Sequence, residues 1–423
     1  MNENNRVIFT KEMKKDYTIL VPTMLPIHFG FIAQILRQEG YTIEVLDTTG
    51  PQITEKGLHY VHNDACYPAI LVIGQLLDAL DSGRFDPDRC ALMLMQTGGG
   101  CRASNYVSLL RKALANAGHG NVPVISFNLV GIEKNPGFQL SPQVLSRMLY
   151  GVLYGDLLMF LSQKCRPYEC FPGATRQLVE HWTNRLSHDL RTKSGLNYHH
   201  IKKNYGRIVR DFAALERTRE QKVRVGIVGE IFVKFSPLGN NNLEEHLIEE
   251  GAEPVMPGLL DFCMYVACNG IYDTQLYGLR RFAGAVNGIA YRFLLSRQRD
   301  LIRAIRDNSD FTPMTDFDHT RRLVDGYIGR GAKMGEGWLL TAEMLELIEA
   351  GTNNIICAQP FGCLPNHIVG KGVMKHIREV HPQANLVAID YDPSSTEINQ
   401  ENRIKLMLAN ANRAAAENPA KIV

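Results

Sequence analysis

Short apolar runs separated by stretches of helical spacing recur along this chain in two blocks, and that alternation constrains the fold more than any other feature. In the first block, residues 17–22, 42–47, 91–95 and 122–127 read as strands, and residues 57–61 as a further short one. Residues 27–38, ended near Gly40, residues 69–80, opened by Pro68 at the first helical position, and residues 107–114 carry helical spacing. The second block repeats the pattern with strands at 223–228, 252–256, 354–359 and 386–390. Its helices are expected at 243–250, 338–349, 366–380 and 395–409, with a glycine-rich link at 326–337. Between the blocks, residues 141–221 are almost wholly helical, with Leu145, Met148, Leu149, Val152 and Leu153 on one stripe, and residues 262–307 are again mostly helical. Apolar strands alternating with helices specify parallel sheets covered by helices. The expected fold is therefore α/β: two open, mostly parallel-sheet domains of the Rossmann or flavodoxin type, residues 1–140 and 222–423, facing a cleft, with a helical connecting layer at 141–221.

Length agrees with that division, since 423 residues exceed one ordinary core. A 45% hydrophobic and 21% charged composition is that of a soluble globular chain. The formal net charge is only +2, and no run of Lys/Arg interleaved with aromatics marks a nucleic-acid groove. The first residues lack the apolar core of a signal peptide, and no uncharged run is long enough to span a bilayer, so a cytoplasmic protein with no membrane partner is expected. In that reducing compartment the nine cysteines are not expected to form structural disulfides.

Three of those cysteines share a setting. Cys101 lies in Gln96-Thr97-Gly98-Gly99-Gly100-Cys101-Arg102, between an apolar strand and a helix. Cys66, just before Pro68, and Cys363, in Pro360-Phe361-Gly362-Cys363-Leu364-Pro365, are expected in equivalent strand-to-helix turns. Glycines there admit close backbone approach, and a helix N-terminus favours negative charge, so thiolates are expected. Ligands bind at the carboxyl ends of strands in such sheets, and two facing domains bring the three cysteines to one cleft. Three thiolates suit a 4Fe-4S cluster with one iron left open. The competing reading is three buried structural cysteines, and the absence of C-x-x-C argues against ferredoxin-type clusters and common zinc sites. Cys90 and the pairs Cys165 with Cys170 and Cys263 with Cys268 read as packing or helix-surface residues, while Cys357 is either core or an extra ligand. Candidate catalytic residues are Glu230 and Lys234, just after a strand where ligand contacts are expected, and His62 with Asp64 as an acid or base or to orient Cys66; a solvated Glu/Lys pair and a helix-capping Asp64 are the competing readings. Gly329-Arg330-Gly331 follows no strand and is not read as a phosphate site.

These motifs, with Val228-Gly229-Glu230-Ile231 and Ile389-Asp390-Tyr391-Asp392-Pro393, resemble those of the 2-hydroxyacyl-CoA dehydratase and benzoyl-CoA reductase superfamily. Within it they most resemble the acyl-CoA dehydratase activase-related proteins, which occur alone or as the carboxyl-terminal part of fused activases. The resemblance runs from about residue 17 to about residue 410. It implies a 4Fe-4S cluster held by Cys66, Cys101 and Cys363. It also implies single electrons delivered by an ATP-hydrolysing activase with its own 4Fe-4S cluster, which agrees with the lack of a phosphate loop here. In the dehydratases the electron passes to an acyl-CoA thioester carbonyl, a ketyl radical forms, and a 2-hydroxyl leaves. Those enzymes pair two different subunits. For this chain an acyl-CoA or small-molecule substrate and a homodimer are expected, and a non-catalytic electron carrier or activase scaffold is the alternative. Relatives with double-cubane clusters reduce small molecules, but that arrangement needs about six thiolates and only three or four cysteines here lie at suitable turns.

Overall fold

The computed structural model describes residues 6–62, 64–96, 100–127, 133, 135–192 and 194–417. Its first sheet comprises β1 (Thr18–Pro22), β2 (Thr42–Leu46), β3 (Cys90–Met95) and β4 (Val124–Phe127). All pairings are parallel and the order is β2-β1-β3-β4. Helix α1 (Pro26–Gln38) connects β1 to β2. Two helices, α2 (Pro51–Tyr60) and α3 (Tyr67–Asp81), cross from β2 to β3, and α4 (Tyr106–Asn116) leads to β4. Each connection is helical because parallel neighbours require a crossover too long for a tight turn.

The expected strand at 57–61 is instead the end of α2. Pro51 occupies its first turn, where a missing N–H costs nothing. Gly57 lets α2 lie directly on α3, since a Cβ there would stand 2.2 Å from the Ile70 carbonyl oxygen, and one on Gly74 only 2.1 Å from that of Ile53. Close helix packing has overridden the strand-like composition of Leu58-His59-Tyr60-Val61.

The helical layer contains α5 (Pro142–Cys165), α6 (Ala174–Asp189) and α7 (Tyr198–Ala213). Helix α5 is buried on nearly every side from Tyr150 onward, so the expected stripe is too narrow: Leu145 is exposed, while Tyr154, Leu157, Leu158 and Leu161 are buried. Residues 142–168 form the one described helical stretch apolar and long enough to cross a membrane, and 72% of its apolar window is buried inside the protein.

The second sheet repeats the first. Strands β5 (Arg224–Gly229), β6 (Glu253–Val255), β7 (Asn354–Pro360) and β8 (Asn385–Tyr391) are all parallel in the order β6-β5-β7-β8. Between β5 and β6 lie α8 (Ile231–Phe235) and α9 (Leu243–Glu249). A hairpin of α10 (Leu259–Tyr277) and α11 (Arg281–Asn308), then α12 (Trp338–Glu349), connect β6 to β7. The hairpin joins the helical layer: Leu260, Met264, Leu301 and Ile305 share a core with Tyr154, Tyr205 and Phe212. A second core runs from Leu20 and Leu92 in the first sheet to Val225 and Ile356 in the second.

Residues 366–380 do not form one helix as expected. Asn366–Gly370 is a wide π turn and Lys371–Val373 a tight one, leaving α13 (Met374–Val380) as the helical part. Gly370 packs here over the Cys357 sulfur, which a Cβ would approach to 3.2 Å. Helix α14 (Glu397–Glu417) closes the chain's described part.

Candidate active site

In both sheets the strand order reverses direction between the first and third strands, β1/β3 and β5/β7. The carboxyl ends of strands flanking such a reversal leave a crevice that no crossover helix fills. Cys101 follows β3, Cys363 follows β7, and Glu230 follows β5. Cys66 arrives differently: it is the residue before α3, and α2 rather than a strand precedes it.

The three cysteine turns interlock. The Tyr67 amide donates to the Phe361 carbonyl at 3.1 Å, tying the Cys66 turn to the Cys363 turn. The Arg102 guanidinium donates to the Asp64 carbonyl, tying the Cys101 turn to that of Cys66. Gly362, at φ +76°, holds the turn close: a Cβ there would come within 3.3 Å of both Cys66 Cα and Arg102 Nη1. Gly335 plays the same part opposite Cys101, where a Cβ would lie 3.3 Å from Pro365 Cγ and 4.0 Å from Cys101 Sγ. Gly98 and Gly99, with Thr97 and Asn63, lie outside the described residues. Gly100 is described, and a Cβ on it would stand 2.7 Å from Met334 Sδ.

Cys66 and Cys363 are buried and Cys101 is partly so. The Cys66 sulfur meets the Tyr106 hydroxyl at 2.7 Å, and the Asn366 amide donates to the Cys363 sulfur at 3.2 Å. Burial works against the expected thiolates. Burial pushes all three thiols up, Cys101 to about 11. The charge of Glu230 pushes the same way at all three and that of Glu336 at Cys101 and Cys363, against the Tyr106 bond and the Arg102 charge at Cys66 and the Asn366 bonds at Cys363. Desolvation outweighs turn dipoles because an isolated buried anion loses far more hydration than one turn's N–H groups return.

Two carboxyls accompany the thiols. Glu230 caps α8 and accepts from the Val233 amide at 2.9 Å. Glu336 accepts from the Ile231 amide at 2.9 Å and so pins the 326–337 link to α8. Burial, then the charge of Glu336, raises Glu230 to about 8, and burial raises Glu336. Burial therefore favours the protonated form of Glu230. Glu336 and Tyr106 were not singled out from sequence. Tyr106 lies four residues past the Cys101 motif, at the first position of α4, and Glu336 lies in a glycine-rich link with no periodicity.

The side chains of the remaining candidates have other partners. Lys234 is buried beneath it in an ion pair with Glu343 at 2.8 Å. His62 and Asp64 form an exposed pair at 3.4 Å. Cys357 is fully buried in β7 among Val228, Met344 and Ile377, with its thiol pushed up to about 12 by burial. Arg330 pairs with Asp325 at 2.7 Å and lines a cavity of about 510 Å³ that none of the three cysteines borders. Among the described residues, no group of three or more His, Cys, Asp or Glu is arranged to hold a single metal ion.

What fold and site define is an α/β protein of two matched parallel sheets with three interlocked cysteine turns, accompanied by the raised carboxyls of Glu230 and Glu336. No protein-family model matches the chain, and no curated protein matches it.

Proposed function

We propose that this protein is the iron-sulfur component of an ATP-dependent, low-potential reductase system like that of the 2-hydroxyacyl-CoA dehydratases. Cys66, Cys101 and Cys363 would hold a 4Fe-4S cluster, and an ATP-hydrolysing activase would supply single electrons for an acyl-CoA or other small substrate. The observation that carries this reading is the interlocking of the three cysteine turns, which lie far apart in the sequence. The donor set also fits. Each thiol of a cube binds a separate iron, so its ligands are spaced around the group instead of aimed at one point. Gly335 and Gly362 keep side chains out of the space beside Cys101 and Cys66. Thiols held neutral by burial are also the form from which a binding metal displaces protons.

Such a cluster supplies one-electron reduction at low potential and, with three protein ligands, an iron open to substrate. The chain's own residues set its surroundings. Tyr106 and Asn366 stand in hydrogen-bond contact with two of the three sulfurs, and such bonds tune the potential of a cluster. A protonated Glu230 spares the crevice a negative charge and stands as a proton donor beside it. A cytoplasmic location, which keeps the thiols reduced, belongs to the same reading.

The test is anaerobic purification with iron and sulfide quantification and EPR of the reduced protein. About four irons and four sulfides per chain are expected, and both should be lost in Cys101→Ser. Fewer than about three irons per chain, with Cys101→Ser indistinguishable, would falsify the cluster reading. Absence of ATP-dependent reduction by the activase would remove the partnership.

A further inference from the structure

A second constellation lies where the start of α1 meets α5, α6 and the second half of the chain. His28, in the first turn of α1, is 1% exposed, yet its Nδ1 has no hydrogen-bond partner among the described residues. The rest of the ring is held in place. Nε2 meets Asp156 Oδ1 at 2.8 Å, and the two Asp156 oxygens also accept from the Leu259 and Leu260 amides, each at 2.8 Å. A carboxylate so bonded acts as acceptor, so Nε2 carries the hydrogen and Nδ1 presents a bare lone pair. The Cδ2 edge of the ring lies against α5, since a Cβ on Gly155 would stand 2.5 Å from Cδ2. Nδ1 is on the opposite edge, and His28 lines a cavity of about 330 Å³. A buried acceptor left bare costs free energy that an arriving donor recovers.

The cavity walls are apolar: Leu25, Ile27, Met159, Val179, Phe235 and Met256. Its remaining polar groups fall into two sets. Glu244 is half-buried, and the Arg166 guanidinium beside it is committed to Glu245 at 2.5 Å. Burial raises the Glu244 carboxyl against the charge of Arg166, so its ionised form is short of a cation. Glu244 and His28 Nδ1 both call for a donor. The second set consists of donors. Arg176 is exposed, so it stands at the cavity mouth, and it has no ion pair among the described residues. The 13-residue helix α1 starts without a side-chain cap, and its Pro26 has no N–H. The Phe29 amide is the first to bond, to the Leu25 carbonyl at 2.8 Å, which leaves the Ile27 and His28 amides without an intrahelical acceptor. A cation and a helix N-terminus together call for an anion.

We propose that this cavity binds a free α-amino acid with an apolar side chain, its ammonium held by His28 Nδ1 and Glu244 and its carboxylate by Arg176 and the first amides of α1. Both charged groups of an α-amino acid hang from one carbon, just as the His28 ring and the Ile27 and His28 amides share one turn. The volume is at the lower end of the ~300–1,000 Å³ of ligand pockets, which suits a molecule of this size and not a nucleotide. None of the three clustered cysteines lines the cavity, so the proposal does not rest on the cluster reading and is tested without it.

The experiment is titration calorimetry of the full chain with L-valine, and with isovalerate and isobutylamine, which lack its ammonium and its carboxylate respectively. L-Valine should bind with a Kd below about 1 mM, and each analogue at least about 10-fold more weakly. Arg176→Gln changes an exposed side chain and Glu244→Gln keeps its shape, so circular dichroism and Tm should match wild type. Each should weaken L-valine by about 10-fold. Arg176→Gln should also erase the preference for L-valine over isobutylamine, and Glu244→Gln that over isovalerate, a pairing that a merely structural role would not produce. Absence of binding by L-valine, L-isoleucine and L-methionine alike at about 10 mM would overturn the proposal. So would an analogue that binds as tightly as L-valine, or L-valine binding indifferent to both variants.

Discussion

The two sheets of this protein are copies in topology and opposites in electrostatics. β1 to β4 and β5 to β8 share one strand order, and in each half a long buried helix, α3 or α12, feeds the third strand. Cys101 after β3 therefore corresponds to Cys363 after β7. Cys66, at the start of α3, corresponds to Glu336, at the start of α12. Thirteen of fifteen residues of α3 are buried, and the only polar one among them is the uncharged Gln75, apart from the Tyr67 hydroxyl. Helix α12 is comparably buried but carries Glu343, paired with Lys234, and Glu346, whose buried Oε2 has no hydrogen-bond partner. One half thus supplies two thiols over a neutral floor. The other supplies one thiol and a carboxyl over a charged floor. A shared backbone fixes where groups are delivered, and the side chains decide which chemistry arrives.

That contrast predicts opposite responses to substitution. Lys234→Met should have the largest effect: it leaves Glu343 buried without its cation and should cost about 3 kcal/mol near pH 8. Near pH 5 the cost should shrink, because Glu343 then takes up a proton at little expense; urea unfolding at the two pH values measures both. Equal losses at both would mean that packing, not charge, is what Lys234 contributes.

Glu346→Gln should act in the other direction. Burial raises the Glu346 carboxyl to about 7 from an ordinary 4.5. The unfolded chain releases this proton first as pH rises, so native stability is full below 4.5 and is lost progressively up to about 7. The glutamine variant should match wild type near pH 4 and exceed it by about 3 kcal/mol at pH 8. A gap that does not widen with pH would remove the charged floor from the comparison.

In the first half, Gln75→Leu should cost only about 1 kcal/mol at any pH, from the lost bond to the Thr48 carbonyl at 2.8 Å. A pH-dependent loss there would erase the distinction between the halves.

The strands and most helices were legible in the sequence because their apolar runs are buried on both faces, as in Leu92 to Leu94 and Ile355 to Ala358. Residues 57–61 were misread because the glycines that join α2 to α3 act on a neighbour distant in the chain. Cys101 and Cys363 were legible as residues just past apolar runs. Cys66 was found at the right turn for a wrong reason, since a helix and not a strand precedes it.

By itself, then, the sequence determined the α/β class, the two blocks and the places where cysteines leave ordered elements, because these follow from local periodicity and turn chemistry. The tertiary structure alone decided the rest: the joining of the three turns through Phe361 and Asp64, the arrival of Glu336 among the thiols, and the burial that works against thiolates there. Each depends on groups far apart in the chain being brought together and stripped of water, and no local pattern of residues encodes desolvation.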